Sequence, residues 1–218
     1  MDFSKVVNER HSSRKFLNKT IAETTLKEIV REAQRTPSWA NAQPWEPIIA
    51  TGETLQTIKK NHMRLSNQGI PGDSDMETAH RTEWADYARN NIGQWNNALV
   101  RHLQNNNLPT YEYGETQTSL FQAAAIVYLT VKVPLNDWEI FDMGAFGQTL
   151  MLSAANRGIQ SIPAYEVVRY PDELRRIFNL GNDQKFLMGV ALGYEDESII
   201  NDFRTTRDDE KNILRMER

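Results

Sequence analysis

The chain has 218 residues, a length typical of one domain or two small ones, and its 29 acidic and 25 basic residues give a formal charge of −4. This balance argues against broad nucleic-acid binding, which requires a clustered basic face. The lack of cysteine excludes disulfides, thiolate nucleophiles, iron–sulfur clusters and cysteine zinc sites, and the four histidines show no metal-ligand spacing.

The first fifty residues predict two helices and a short strand. Phe3, Val6 and Val7 share one face of a helix over 2–9, and a second amphipathic helix is predicted over 22–35, where Thr36-Pro37 ends it. A polar, basic loop is expected between these helices. A short strand is predicted over 47–51, before a turn at Gly52.

Residues 53–121 differ from the rest of the chain in their low apolar content. Helices are predicted over 53–67 and 82–106, with a loop over 69–75 between them. We expect this segment to be a helical excursion from the core that forms a lid or a pocket wall. A plain pair of surface helices is the alternative.

From about residue 122 the apolar core resumes. Strands are predicted over 125–133, 159–168 and 185–194, and helices over 138–157 and 171–178. The helix over 138–157 is apolar almost all round, which indicates burial on every side and, in a chain of this size, sharing between subunits.

The C-terminal residues 195–218 are charged and carry no amphipathic pattern of their own. They are either disordered or an arm laid across a partner subunit. No apolar stretch is long enough to predict a membrane span, and the N-terminal residues have no apolar signal core. The expected location is therefore the cytoplasm.

Two basic segments are candidates for binding phosphate. Arg10 and Arg14 flank a histidine and two serines, and Arg204 and Arg207 lie in the C-terminal segment. Guanidinium groups suit bidentate binding of phosphate, and hydroxyls add neutral donors. The alternative for each segment is a solvated basic loop.

Two further segments are candidates for contact with a planar ligand. The loop over 36–45 holds two prolines, two tryptophans and the amides of Asn41 and Gln43, which suit the edge of a heterocycle. A buried turn between helix and strand is the alternative. Residues 161–165 end a predicted strand, where backbone amides are available to a ligand. Asp142, on the apolar helix, is interpreted as a cap or a paired acid.

Taken in this order, the segments resemble the nitroreductase family of FMN-dependent flavoproteins. The motifs that carry the resemblance are an Arg-x-Ser-x-Arg-x-Phe loop at 10–16, a Pro-Ser-x-x-Asn-x-Gln-Pro-Trp loop at 37–45, an Asp-x-Gly helix ending in Ala-Ala-x-x-Gly at 142–158, and a Pro-x-x-x-Val-Val-x-Tyr-Pro-Asp stretch at 163–172. The last stretch is similar to the branch that includes nitrobenzoate reductases. The resemblance covers about residues 3–52 and 122–210.

The resemblance implies an α+β fold with a central, mostly antiparallel sheet flanked by helices, in a single domain over residues 1–218 that forms an intertwined homodimer. It implies FMN at the subunit interface and NAD(P)H as co-substrate, and it requires no catalytic side chain because flavin carries the chemistry. The implied cofactor-binding residues are Arg10, His11, Ser12, Arg14, Pro37, Ser38, Trp39, Asn41, Gln148, Pro163, Ala164, Tyr165, Arg204 and Arg207.

Within this set, the resemblance implies several roles. Arg10, Ser12 and Arg14 would hold the phosphate and ribityl chain, and Arg204 and Arg207 would add to the phosphate end. Pro37, Ser38, Trp39 and Asn41 would come from the partner subunit, and Gln148 would reach the flavin ring. Residues 163–165 would lie beside flavin N5, where related sequences often carry glutamine and this chain has Ala164.

The implied activity is the reduction of nitroaromatic or quinone-like compounds by NAD(P)H, in a ping-pong reaction with hydride transfer through flavin N5. Two alternatives stay open. The same fold and cofactor could act on an enone, a dihydropteridine or a halogenated aromatic. The chain could also be a non-catalytic FMN-binding dimer.

Overall fold

A four-stranded antiparallel sheet forms the centre of the molecule, in a computed structural model that describes residues 2–218. The strands are β1 (Ile48–Ala50), β2 (Ala125–Lys132), β3 (Gln160–Ala164) and β4 (Gln184–Gly193). Their order across the sheet is β1-β2-β4-β3, and all three pairings are antiparallel. The predicted α+β class with a mostly antiparallel sheet is confirmed.

Helices cover both faces of the sheet. The helices are α1 (Phe3–Glu9), α2 (Glu23–Ala33), α3 (Gly52–Asn67), α4 (Asp86–Asn105), α5 (Tyr111–Thr118), α6 (Asp137–Ala155), α7 (Pro171–Phe178) and α8 (Glu210–Ile213). On one face, α2 and α6 pack on alternate residues of β2 such as Val127 and Leu129. On the other face, α3 and α7 pack on the intervening residues Ile126 and Tyr128. The two central strands are thus covered on both faces, as their continuous apolar runs require.

Two predicted elements are shorter in the structure than their sequence patterns indicate. The strand predicted over 159–168 ends at Ala164, and a 3₁₀ turn over Tyr165–Val168 follows it. Val167 and Val168 favour a strand by type, but both side chains are buried in the core beside α3 and α7. The helix predicted over 82–106 begins only at Asp86, because a separate 3₁₀ turn occupies Arg81–Glu83 and Trp84 is extended.

Part of the C-terminal segment folds onto its own chain. Ile200 and Phe203 are buried against Leu99 and Leu103 of α4. Residues beyond Phe203 are exposed, including the short helix α8. The first part of the segment is therefore docked on α4 of its own chain.

Helix α6 is buried along one side and exposed along the other. Phe146 and Leu150 are fully buried in the core, whereas Trp138 and Phe141 are 57% and 71% exposed. The prediction that α6 is buried on every side therefore holds for only one side within a single chain. The exposed side carries large apolar groups, which monomeric proteins rarely leave uncovered in one patch.

Within residues 2–218, no helix combines the length and the apolar character needed to cross a bilayer.

Gly193 is the last residue of β4, and the Phe16 ring occupies the space where a side chain at position 193 would lie. A Cβ at position 193 would lie 2.5 Å from Phe16 Cγ and 2.6 Å from Phe16 Cβ. Phe16 is 1% exposed and closes the 10–16 loop against the sheet. We expect Gly193→Ala to lower the free energy of unfolding by about 1–3 kcal/mol, because overpacking forces this buried ring to move. Urea unfolding would measure the loss.

The matched control is Gly114→Ala in α5, where a Cβ would meet open space. Alanine there is expected to be neutral or stabilising, since glycine is a poor helix former. Equal stability of the two variants would contradict the role assigned to Gly193.

Candidate functional site

The loop after α1 runs along the free edge of the sheet. Ser12 forms a parallel bridge with Ser161 of β3, and the Ser13 amide donates to the Ser161 carbonyl at 3.1 Å. β3 accepts this loop because it is an edge strand with unpaired backbone groups. The extended backbone sends the Ser12 and Ser13 side chains to opposite sides.

Asn201 joins the C-terminal segment to this loop. Its side-chain oxygen accepts from the backbone amides of Arg14 (2.6 Å) and Lys15 (3.1 Å), and its amide nitrogen donates to the Lys15 carbonyl at 2.7 Å. Asn201 is 1% exposed. A buried amide with its hydrogen bonds satisfied fixes the two segments in one register.

Residues 203–208, here called the strap, are attached to α4 at both ends. Phe203 is buried against Leu99 of α4, and the Asp208 carboxylate accepts from the Asn91 side-chain amide at 2.9 Å. Arg204 and Arg207 lie between these two attachments. The strap therefore holds both arginines against the body of the chain.

A cavity of about 620 Å³ lies between α1, the 10–14 loop and the strap. We call it the anion cavity. It brings together seven of the predicted cofactor-binding residues, namely Arg10, His11, Ser12, Arg14, Gln148, Arg204 and Arg207. Four of the seven are arginines, drawn from the two ends of the sequence.

The arginines of the anion cavity repel one another. Burial lowers the pKa of Arg10, and the nearby Arg207 lowers it further. Burial also lowers the pKa of Arg14, which is 3% exposed. The Arg14 Nη1 donates to the Ser12 carbonyl at 2.9 Å, while its buried Nε has no hydrogen-bond partner within the described residues. Arginine keeps its charge in proteins, so an anion in this cavity would relieve the repulsion.

Glu195 is the carboxylate that holds the cationic segments together. It accepts from His11 Nε2 at 2.5 Å and from the Ser13 hydroxyl, and Arg204 lies 3.8 Å away. Burial alone would raise the pKa of Glu195, but the hydrogen bonds from His11 and Ser13, with Arg204, lower it below its ordinary value. The other His11 nitrogen contacts the Glu9 carbonyl at 2.8 Å, so the protein already engages both ring nitrogens.

Glu195→Gln is expected to lower the free energy of unfolding at pH 7 by about 1–3 kcal/mol, because His11 and Ser13 lose a charged acceptor. The pKa of Glu195 is lowered in the folded state. Its contribution to the free energy of unfolding is therefore fully present at pH values above the ordinary pKa of 4.5. That contribution is lost as the pH falls through the lower pKa of the folded state. Urea unfolding at several pH values would measure it.

The control is Glu197→Gln, two residues away and exposed. It should match the wild-type protein at every pH. A difference between Glu195→Gln and the wild-type protein that persists unchanged at the lowest pH would contradict the assignment.

An apolar groove of about 250 Å³ meets the anion cavity at Gln148, which lines both. Pro163 at the β3 edge, Met143 of α6 and Met76 from the loop after α3 line the groove. The predicted residues Ala164 and Tyr165 follow Pro163 but line neither space; Ala164 pairs with Gly189, and Tyr165 begins the 3₁₀ turn. These two neighbouring spaces, one cationic and one apolar, suit an elongated ligand with an anionic end and a planar apolar end, which is the chemistry of FMN.

The loop over residues 37–41 lies elsewhere in the chain. Pro37, Ser38, Trp39 and Asn41 line neither the anion cavity nor the apolar groove. The Trp39 amide donates to the Asp142 carboxylate at 3.0 Å, and the Trp39 ring stacks on Trp138 at 4.5 Å. Asp142 thus accepts a hydrogen bond from the backbone at the start of the turn over Trp39–Asn41, as a capping residue does. Trp39 is 58% exposed, so one face of this loop is open to another molecule.

Sequence reasoning missed Glu195, Asn201 and Asn91. Each is a polar residue in a segment whose sequence predicts exposure to solvent. Each forms its hydrogen bonds with partners more than 100 positions away. No local pattern marks them. Among residues 2–218, no group of three or more histidine, aspartate or glutamate side chains is arranged to hold a metal ion.

The chain is similar in sequence to proteins of one family. A family model described as Nitroreductase family matches residues 7–194. The 4-nitrobenzoate reductase of Pseudomonas putida is 28% identical over 218 residues, covering 95% of this chain and 92% of that protein. The nitrobenzene nitroreductase of Ectopseudomonas oleovorans is 26% identical over 203 residues, covering 89% of this chain and 87% of that protein.

The fold is also found among solved structures. The FMN-dependent nitroreductase NfnB from Mycobacterium smegmatis, solved in complex with NADPH, superposes with a TM-score of 0.90 at 21% identity, covering 99% of this chain and 97% of that chain. At this identity the likeness establishes the fold.

Proposed function

Because this chain belongs to the nitroreductase family, we propose that it is an FMN-dependent NAD(P)H oxidoreductase that reduces nitroaromatic or quinone-like compounds. The observation that carries the proposal is the anion cavity with its four arginines, joined at Gln148 to an apolar groove. An elongated ligand with a phosphate at one end and a planar ring system at the other fits both spaces.

The arginines of the anion cavity would hold the FMN phosphate. Arg10, Arg204 and Arg207 present guanidinium groups that suit charge-assisted, bidentate hydrogen bonds to phosphate oxygens. Ser12 adds a neutral donor at the wall. Glu195 keeps the loop and the strap in place without the ligand, so the cavity is organised before the cofactor binds.

The residues around Gln148 would hold the ring end. Pro163 and the side chains of α6 exclude water from the groove, and Gln148 offers an amide at the boundary. Ala164 and Tyr165 would contribute backbone groups at the end of β3. FMN held by these residues would supply the hydride chemistry between NAD(P)H and the oxidant in two half-reactions, so this chain needs to bind and orient rather than supply an acid or base.

A homodimer is part of the proposal. Phe3 of α1 is 73% exposed and Phe141 of α6 is 71% exposed, and monomers rarely leave such groups uncovered in one region. A second copy on this face would bury them. Pro37, Ser38, Trp39 and Asn41 would then reach the flavin of the partner subunit.

The remaining segments have proposed roles as well. Within residues 53–121, the loop after α3 and the helix α4 would form a wall of the pocket, since Met76 lines the apolar groove and α4 anchors the strap. Helix α3 is instead part of the core on the other face of the sheet. The exposed end of residues 195–218, with Ile213 at 74% exposure, would cross the partner subunit. The cytoplasm is the proposed location, because NAD(P)H is available there to a redox enzyme.

An anaerobic assay tests the proposal. Purified protein should be yellow, should release FMN on denaturation, and should bleach with NADH or NADPH. Addition of 4-nitrobenzoate or a quinone should then restore the colour. A yellow protein that neither nicotinamide bleaches would overturn the reductase assignment, and a protein without flavin after incubation with FMN would overturn the cofactor assignment.

A further inference from the structure

The strap also lines a second cavity, a cleft of about 330 Å³ whose other wall is α4. We call it the α4 cleft. Arg204 and Arg207 line both this cleft and the anion cavity, whereas Arg10, Arg14 and Gln148 line the anion cavity but not the cleft. The same two arginines therefore serve two spaces.

The α4 cleft combines three kinds of recognition group. Trp95 provides an aromatic surface, and its ring meets Tyr113 edge-on at 6.3 Å. Asn91 and Gln94 add side-chain amides one turn apart on α4. Arg204 and Arg207 supply positive charge, and the Asp208 carboxylate supplies an acceptor suited to a hydroxyl or an amine.

This set matches a phosphorylated purine nucleoside. Aromatic rings stack on bases, and amides read the hydrogen-bonding edge of a heterocycle. Guanidinium groups bind phosphate, and a carboxylate accepts from ribose hydroxyls. An apolar aromatic compound alone would use only Trp95 and would make no use of the charged groups.

The charges around the strap balance once a phosphate dianion is bound. Four arginines face the Glu195 and Asp208 carboxylates, and the dianion would offset two more positive charges. A second anion would therefore be held by directed hydrogen bonds from Arg204 and Arg207, which line both spaces, and not by an excess of positive charge.

We propose that the α4 cleft binds the phosphorylated adenosine half of NAD(P)H. This inference rests on the proposed function, and it assigns a place to the part of the coenzyme that takes no part in hydride transfer. The cleft is unsuited to the oxidant, which has to reach the flavin ring at Gln148, and Gln148 does not line the cleft.

A charge placed in the cleft tests the proposal. Gln94→Glu adds a carboxylate opposite the coenzyme phosphates, and Gln104→Glu makes the same change at an exposed position of α4 outside the cleft. Each holoprotein would be titrated with adenosine 2′,5′-bisphosphate by calorimetry. Each would also be assayed with NADPH and with reduced nicotinamide mononucleotide, which lacks the adenosine half.

We expect Gln94→Glu to raise the Kd for the bisphosphate and the KM for NADPH about five- to tenfold. The KM for reduced nicotinamide mononucleotide should not change, and Gln104→Glu should match the wild-type protein throughout. Failure of the wild-type protein to bind the bisphosphate, or an equal effect of Gln94→Glu on both reductants, would overturn the proposal. If no nicotinamide reduces the protein but Gln94→Glu still weakens bisphosphate binding, the proposed function fails while the phosphorylated-adenosine site stands.

Discussion

Replacing Arg10 with glutamate is expected to lower the affinity for FMN by at least about a hundredfold. The change removes a charge-assisted hydrogen bond to the phosphate, which contributes about 1.5–3 kcal/mol, and places a negative charge beside a dianion. Arg10 lines the anion cavity, where burial and Arg207 already lower its pKa. Fluorescence titration of the apoprotein with FMN would measure the Kd.

The fold itself should tolerate the Arg10 change, because Arg10 and Arg207 repel each other when the cavity holds no anion. Thermal unfolding of the apoprotein should therefore differ little from that of the wild-type protein. Arg31→Glu, at an exposed position of α2, makes the same charge change away from the cavity and should leave the Kd unaltered. An Arg10→Glu protein that binds FMN as tightly as the wild-type protein would refute the phosphate role.

Replacing Phe141 with glutamate is expected to convert the proposed dimer to a monomer and to weaken FMN binding at least about tenfold. Phe141 lies on the exposed side of α6, and burying an unpaired carboxylate in an interface costs several kcal/mol. FMN is lost with the dimer because residues 37–41 are proposed to act across the interface. Light scattering during gel filtration would give the mass, and the flavin content would be read from the same peak.

Tyr87→Glu is the matched control for the interface. Tyr87 lies on α4 and is 73% exposed, close to the exposure of Phe141. This variant should stay dimeric and yellow. A Phe141→Glu protein that remains a dimer with full flavin content would place the interface elsewhere.

The sequence predicts the fold well where burial alone decides the structure. β2 and β4 are covered on both faces, so each appears as an unbroken apolar run. The 3₁₀ turn at Tyr165–Val168 has no such signal. Val167 packs where a Cβ on Gly189 would lie, and that contact joins positions far apart in the chain. Likewise, Leu120, Phe121 and Gln122 all adopt left-handed backbone angles, which their residue types do not predict.

The residues of the candidate site also differ in whether the local sequence predicts them or only distant contacts place them. The arginines of the anion cavity were predicted because residue type and motif order point to phosphate binding. Glu195 is not predicted, because a carboxylate in a charged C-terminal segment has no distinctive sequence pattern. Its partners His11 and Arg204 come close to it only when the chain folds. The roles of Ala164, Tyr165 and residues 37–41 stay predictions, since they lie outside the cavity of a single chain.

The link between Asn201 and Arg14 has a consequence for biosynthesis. These residues are 187 positions apart, so the anion cavity has walls from two distant segments of the chain. A growing chain has the 10–14 loop long before the strap is synthesised. Retention of FMN would therefore require synthesis to have passed the strap, and a chain truncated after β4 would keep most of its core and lose the means to retain FMN.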